Sequence, residues 1–235
     1  MIREETIELA GRPTIAVGEP DAPATIVILH GFGMTPAELA PFAHSLGVAA
    51  RWLFPEGPAP ASFEPGLLQG KAWWQIDFEM RRESKAAGPR DFAPLAFPDL
   101  PAARALCGAI FDEAIAQANG RPVIVGGFSS GGMLVFDTLL RVPRAVRGLV
   151  LLSSTRLTWR EQEPIAAARP LAGLPALITH GDADDDLAYD AGVALRDAAI
   201  TAGCDVTWAP FEGGHEIPLV SWRRLRKWLV ASLAR

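Results

Sequence analysis

The chain has 235 residues, 49% of them hydrophobic and 21% charged, with a formal net charge of −5 at pH 7. That balance excludes wholesale disorder and argues against a nucleic-acid footprint, which calls for clustered positive charge. The 22 Gly and 20 Pro follow no period, which excludes collagen-like and repeat architectures.

Residues 1–5 contain charge where a secretory signal needs an uninterrupted apolar stretch. No apolar run approaches the roughly 20 residues of a membrane-spanning helix. The expectation is a soluble, cytoplasmic protein without stable membrane insertion. Cys107 and Cys204 allow at most one bridge, and both read as small core residues.

Residues 6–9 and 13–17 alternate in polarity around Ala10-Gly11-Arg12 and predict an antiparallel hairpin. The β-branched run Thr25-Ile26-Val27-Ile28-Leu29 predicts a strand buried on both faces. A helix over 35–46 and a strand over 51–54 follow, the latter stopped by proline-rich residues 55–60. Residues 61–98 are expected to be an irregular insertion that borders or caps a cleft. After them helices are predicted over 99–118, 130–141, 164–169, 188–202 and 218–233. Strands are predicted over 123–125, 149–152, 176–178 and 206–208. Strands alternating with helices indicate an α/β fold, a mainly parallel sheet covered on both faces. No linker divides it, so residues 1–235 read as one domain.

Ligands of such sheets sit at the carboxyl ends of the strands. The strand at 123–125 runs into Gly126-Gly127-Phe128-Ser129-Ser130-Gly131-Gly132, whose Gly-x-Ser-x-Gly spacing is that of a nucleophile elbow. Such a turn strains the serine backbone and crowds its neighbours, so glycines flank it. Serine needs a base, and four histidines are available: His30, His44, His180 and His215. His44 falls inside a predicted helix. His30 and His180 each end a strand before a glycine and read as loop-ordering hydrogen-bond partners. His215 follows the last strand in Gly213-Gly214-His215, where two glycines free the loop to aim an imidazole. The orienting acid then belongs to Asp182-Ala183-Asp184-Asp185-Asp186, which leaves several candidates and the order Ser, acid, His. An EF-hand reading of this run fails, because Leu187 stands where that loop needs Gly and Val193 where it needs Glu. Backbone donors for an oxyanion are expected from Ser130 and from the loop His30-Gly31-Phe32-Gly33. A dinucleotide fingerprint on that loop fails at Pro36.

Together, Leu29-His30-Gly31-Phe32-Gly33, the Ser129 elbow, His180-Gly181-Asp182-Ala183-Asp184 and Gly213-Gly214-His215 resemble the phospholipase/carboxylesterase family of α/β-hydrolases, in order over about residues 24–233. The family's His-Gly-x-x-Asp pattern selects Asp184. Trp73-Trp74-x-Ile76-Asp77 is similar to its Trp-Phe-Asp segment near the cleft. The resemblance implies catalysis by Ser129, His215 and Asp184, with the amides of Phe32 and Ser130 as the oxyanion hole. It implies no cofactor and no metal, a small-molecule ester or thioester substrate, no nucleic-acid partner, and a monomer or homodimer. Three positions depart from the family pattern. Ser130 replaces Gln, Met34 stands where an acidic residue or Asn is common, and Leu187-Ala188 replaces Val-Pro. Met34, Trp73, Trp74 and Ile217 are expected to border the cleft and favour apolar acyl or aryl groups. Lysophospholipase or acyl-protein thioesterase action on long chains is the alternative, and a non-catalytic binding protein on the same fold is a third reading. Arg81, Arg82 and Lys85 read as a solvated basic loop. The last helix, with Arg223, Arg224, Arg226 and Lys227 beside Trp222, Leu225 and Leu229, reads as docked and amphipathic.

Overall fold

The computed structural model describes residues 2–61, 70–76, 82–83 and 86–234. β1 (Glu4–Leu9) and β2 (Arg12–Val17) form the expected hairpin, paired from Glu4 opposite Val17 to Leu9 opposite Arg12. Its two-residue turn puts Ala10 at φ 49° and Gly11 at φ 70°, the two positive dihedrals a type I′ turn requires. β2 continues antiparallel onto β4 (Arg51–Pro55). Beyond it the sheet is parallel, in the order β4, β3 (Thr25–Leu29), β7 (Val123–Phe128), β8 (Gly148–Leu152), β9 (Pro175–Thr179) and β10 (Asp205–Trp208).

Every residue of β3, β4 and β8 is buried, so the period of two shows as alternating destination rather than alternating polarity. Val27, Leu29, Val125, Leu149 and Leu151 enter one core, against α2 (Leu100–Ala118) and α3 (Ser130–Arg141). Ile26, Ile28, Ile124, Val150 and Leu152 enter the other, against α1 (Pro36–Leu46) and α6 (Leu219–Leu233). α4 (Trp159–Ala167) and α5 (Tyr189–Thr201) extend the first layer. Phe111 and Phe136 are fully buried there, each contributing about 1.5–3 kcal/mol of transfer free energy. The basic face of α6 stays wet, while Leu225 and Leu229 are buried and Trp222 stacks on Phe42 with centroids 3.9 Å apart.

Three elements differ from expectation. The helix expected over 164–169 begins earlier, at Trp159, because a distant partner sets its start: the Trp159 amide donates to the Ala93 carbonyl at 2.8 Å. Pro164 therefore lies inside the helix rather than opening it. Where the proline-rich stretch meets the span expected to be irregular, β5 (Ala59–Ala61) and β6 (Gly70–Ala72) form a short antiparallel ladder. Strands of three residues carry no periodicity to read. β6 also braces the loop after β3: the Gly33 amide donates to Lys71 O and the Lys71 amide to Met34 O, both at 2.9 Å. Gly70 is needed at that crossing, since a Cβ there would fall 2.1 Å from Gly33 O. Asp77, Arg81 and Lys85 lie outside the described residues. Among the described residues no helix is long and apolar enough to cross a membrane.

Candidate active site

β7 passes into α3 through Ser129, held at φ 52° and ψ −124°, a conformation that costs a non-glycine residue free energy. The turn is locked from several sides. The Ser129 amide donates to Leu152 O at 2.8 Å, and the Ser154 hydroxyl donates to Ser129 O at 3.0 Å. A Cβ on Gly127 would lie 2.4 Å from the Gly131 carbonyl carbon, and one on Gly131 would lie 2.4 Å from Leu29 O. Glycine is thus required on both sides of the serine, by close approach rather than by flexibility. The hydroxyl emerges at the N-terminus of a helix 12 residues long, where the helix dipole favours negative charge.

The acid loop follows β9 and the histidine loop follows β10, and the two are laced together. Gly181 and Phe211 form an isolated parallel bridge, and the Ala183 amide donates to Gly213 O at 2.9 Å. The Asp182 carboxylate accepts the Gly213 amide at 3.1 Å, and the Ser153 hydroxyl, from the end of β8, donates to Glu216 O at 3.1 Å. This lacing brings His215 between Ser129 and Asp184. Nδ1 lies 2.8 Å from Asp184 Oδ2 and Nε2 lies 3.0 Å from Ser129 Oγ. A carboxylate only accepts, so Nδ1 carries the proton and Nε2 is left to accept from the serine. The Phe128 ring packs beside the imidazole, centroids 4.9 Å apart.

Of the loop's aspartates, Asp184 is the one bonded to His215 Nδ1. Asp182 is spent on Gly213, Asp185 is exposed, and Asp186 pairs with Arg90. Burial raises the Asp184 carboxyl, but the hydrogen bond and charge of His215 and the amides of Leu187 and Asp186, at 2.8 and 3.0 Å, outweigh it and hold it below the usual carboxylate range.

His30 and His180 order the surrounding loops, as expected. The Gly57 amide donates to His30 Nε2 at 2.9 Å, so Nδ1 carries the proton and donates to Gly31 O at 2.7 Å. His180 Nε2 lies 3.1 Å from Leu187 O and 3.4 Å from Asp184 Oδ2. Burial pushes both histidines below their ordinary value. His44 sits on the surface, 2.7 Å from Glu4 Oε2. Cys107 and Cys204 are free and buried, their thiols pushed up to about 12 by desolvation, which leaves them unreactive. Among the described residues no cluster of three or more His, Cys, Asp or Glu is placed to hold a metal.

A cleft of about 320 Å³ opens over Ser129 and His215. Phe32, Ser130 and Met34 line it, as the sequence suggests. Trp73, Trp74 and Ile217 do not, which corrects their expected place at its border. The Trp73 indole donates to His30 O at 2.8 Å, so this residue supports the loop from behind. Trp74 packs against Phe97 with centroids 5.7 Å apart, and Ile217 joins the core under α1 and α6. Their places are taken by Ile76, Phe92 and Met133, with Arg90 and Asp186 as a charged edge. Sequence reasoning missed Arg90, Phe92 and Met133. Arg90 meets its partner 96 residues away, and nothing local to either residue signals the pairing.

A family model described as phospholipase/carboxylesterase matches residues 10–233. The chain belongs to that family. It is 27% identical to carboxylesterase SOBER1 of Arabidopsis thaliana over 214 residues, which cover 87% of this chain and 88% of the relative. It is 26% identical to a probable carboxylesterase SOBER1-like of the same plant over 181 residues, spanning 76% of this chain and 66% of that relative's length. Acyl-protein thioesterase 2 of Zea mays has the same fold, with a TM-score of 0.73 at 21% identity over 98% of this chain and 99% of that one. Ester or thioester hydrolysis is the class of activity that membership of the phospholipase/carboxylesterase family supports.

Proposed function

We propose that the protein is a serine hydrolase that cleaves carboxylic esters of small or medium apolar acyl or aryl groups through an acyl-enzyme intermediate. One observation carries this reading: the unbroken hydrogen-bonded chain from Ser129 Oγ through His215 to Asp184, at 3.0 and 2.8 Å, on a strained turn inside a cleft. Ser129 Oγ attacks the carbonyl carbon as its proton passes to His215 Nε2. Asp184 keeps the ring in the required tautomer and stabilises the imidazolium. The oxyanion is held by the amides of Phe32 and Ser130, each such donor contributing roughly 3–4 kcal/mol. Collapse breaks the bond to the leaving alcohol, which takes the proton from Nε2. Water, deprotonated by the same nitrogen, then releases the acid and regenerates Ser129.

The cleft volume of about 320 Å³ lies at the small end of ligand pockets. Its apolar lining of Phe32, Met34, Phe92 and Met133 suits a short acyl or aryl group better than a long chain. The same reading treats residues 1–235 as one functional unit, with Ile76, Arg90 and Phe92 lining the cleft. A fluorophosphonate should label Ser129, with the adduct located by mass spectrometry. Turnover of aryl esters from two to sixteen acyl carbons should then peak among the shorter chains. A maximum at sixteen carbons would favour lysophospholipase or thioesterase action, and absence of labelling would favour a binding protein.

A further inference from the structure

A groove of about 600 Å³ runs between α6 and the edge of the sheet, and it shares no lining residue with the cleft over Ser129. Alternation along the last strand opens it. Val206 and Trp208 join the core on the α5 side, so Asp205 and Thr207 project on the opposite face and stay exposed. Leu225 and Leu229 of α6 share a core with Leu177 of β9, which leaves the neighbouring face of β10 uncovered. Leu177, the register partner of Thr207, is the apolar floor. Trp228 is a fixed wall. Its indole lies against the sheet where Gly148 leaves room, since a Cβ there would fall 2.7 Å from Trp228 Cη2.

The two ends of the groove differ in charge. α6 carries Arg223, Arg224, Arg226 and Lys227 and no carboxylate, and Arg224 and Lys227 line the groove. Arg224 is fixed at one end, where its Nη1 donates to Pro210 O at 2.5 Å. Lys227 follows one turn along the helix. Neither cation has a carboxylate partner among the described residues. Asp205, the acid that lines the groove, stands at the other end, roughly 17 Å from Pro210 at the rise of an extended chain. An apolar floor with unpaired cations at one end suits a ligand with a single negative charge and an apolar body. A second negative charge on such a ligand would meet Asp205. We propose that this groove is a second binding site, for a monoanionic amphiphile: its carboxylate head lies between Arg224 and Lys227, and its aliphatic chain runs along Leu177 and Trp228 toward Asp205. The site stands apart from the hydrolysis proposed above and does not depend on it.

The test is a titration of decanoate, below the concentration at which it forms micelles, into the isotope-labelled protein, followed by NMR. Shifts should saturate at the amides of Thr207 and Ala209 and at the Trp228 indole N–H, independently of any shifts at Phe128 and Met133 in the cleft. Lys227→Glu, at an exposed position, should weaken binding about tenfold. Ala231→Trp, which fills the groove from an exposed position, should abolish it. Decanedioate, with a carboxylate at each end, should bind about tenfold more weakly than decanoate, and Asp205→Asn should remove that difference. Decyltrimethylammonium should not compete. Equal binding of the cation and the anion, or decanoate affinity unchanged in both Lys227→Glu and Ala231→Trp, would overturn the proposal. So would shifts confined to the cleft, or binding seen only with micelles or with phosphatidylglycerol vesicles in a parallel cosedimentation.

Discussion

On one side of the cleft, the turn from β7 to α3 has no room to change: Gly127, Gly131 and Gly132 each face a backbone or side-chain atom within 2.4 Å of where a Cβ would stand. On the other side, the wall is assembled from pieces far apart in the chain. Trp73 props the His30 carbonyl, β6 braces Gly33 and Met34, and Arg90 joins the acid loop. The first wall is a local solution to a steric problem. The second is a set of single hydrogen bonds, each replaceable on its own. Substitutions in the first should therefore act through all-or-none loss, and those in the second by degrees.

The largest effect belongs to the elbow. Ser129→Ala should lower ester turnover by about 10⁴-fold or more while the melting temperature stays near that of the parent; a residual rate above a hundredth of the parent would break the comparison at its firmest point. Next, Gly131→Ala should cost about 3 kcal/mol or more in denaturant unfolding, because its methyl would overlap Leu29 O and His30 O. On the facing wall, Trp73→Phe keeps a ring in the core but removes the donor to His30 O. It should cost about 1 kcal/mol of stability and reduce kcat/KM about tenfold through displacement of the loop that carries Phe32. A loss as severe as that of Gly131→Ala would mean the two walls do not differ.

The mildest effect is a pH dependence of stability. His30 and His180 have folded values pushed below the ordinary one by burial. Below about pH 6.5 the unfolded chain takes up protons that the folded chain refuses, so stability is full above that pH and falls as pH drops below it. Each histidine contributes a slope of up to about 1.4 kcal/mol per pH unit. Protonated His30 would also lose the Gly57 donor. Melting temperatures measured from pH 8 to pH 5 should decline over the lower half of that range, and His30→Gln should flatten the decline. Asp184 adds to it in stronger acid, since its folded value is lowered and its contribution disappears as the carboxylate protonates.

Much of this arrangement was legible before any coordinates. The central strands announce themselves because both faces are buried and the runs are uniformly apolar. The elbow does so because a steric demand leaves glycines at fixed spacing. Choosing Asp184 among neighbouring aspartates required the family pattern, and its single bond to His215 Nδ1 accords with that choice. The misreadings have two causes. Trp73, Trp74 and Ile217 were expected at the cleft because loop aromatics and aliphatics look alike whether they face substrate or core. Arg90 was passed over because its partner Asp186 lies 96 residues away, and Phe92 because it stands beside Arg90 in a span with no periodicity to read. The start of α4 was misjudged for the same reason, since Ala93 sets it from outside the helix.

The pairing of Ser129 with a ring 86 positions later, carried on the loop after β10, has a kinetic consequence. The proposed nucleophile is packed among β3, β7 and β8, whereas its proposed base depends on β10, the strand at the sheet edge. During refolding, recovery of hydrolysis would time the arrival of that edge strand and should trail the fluorescence change of the tryptophans packed beside the inner strands.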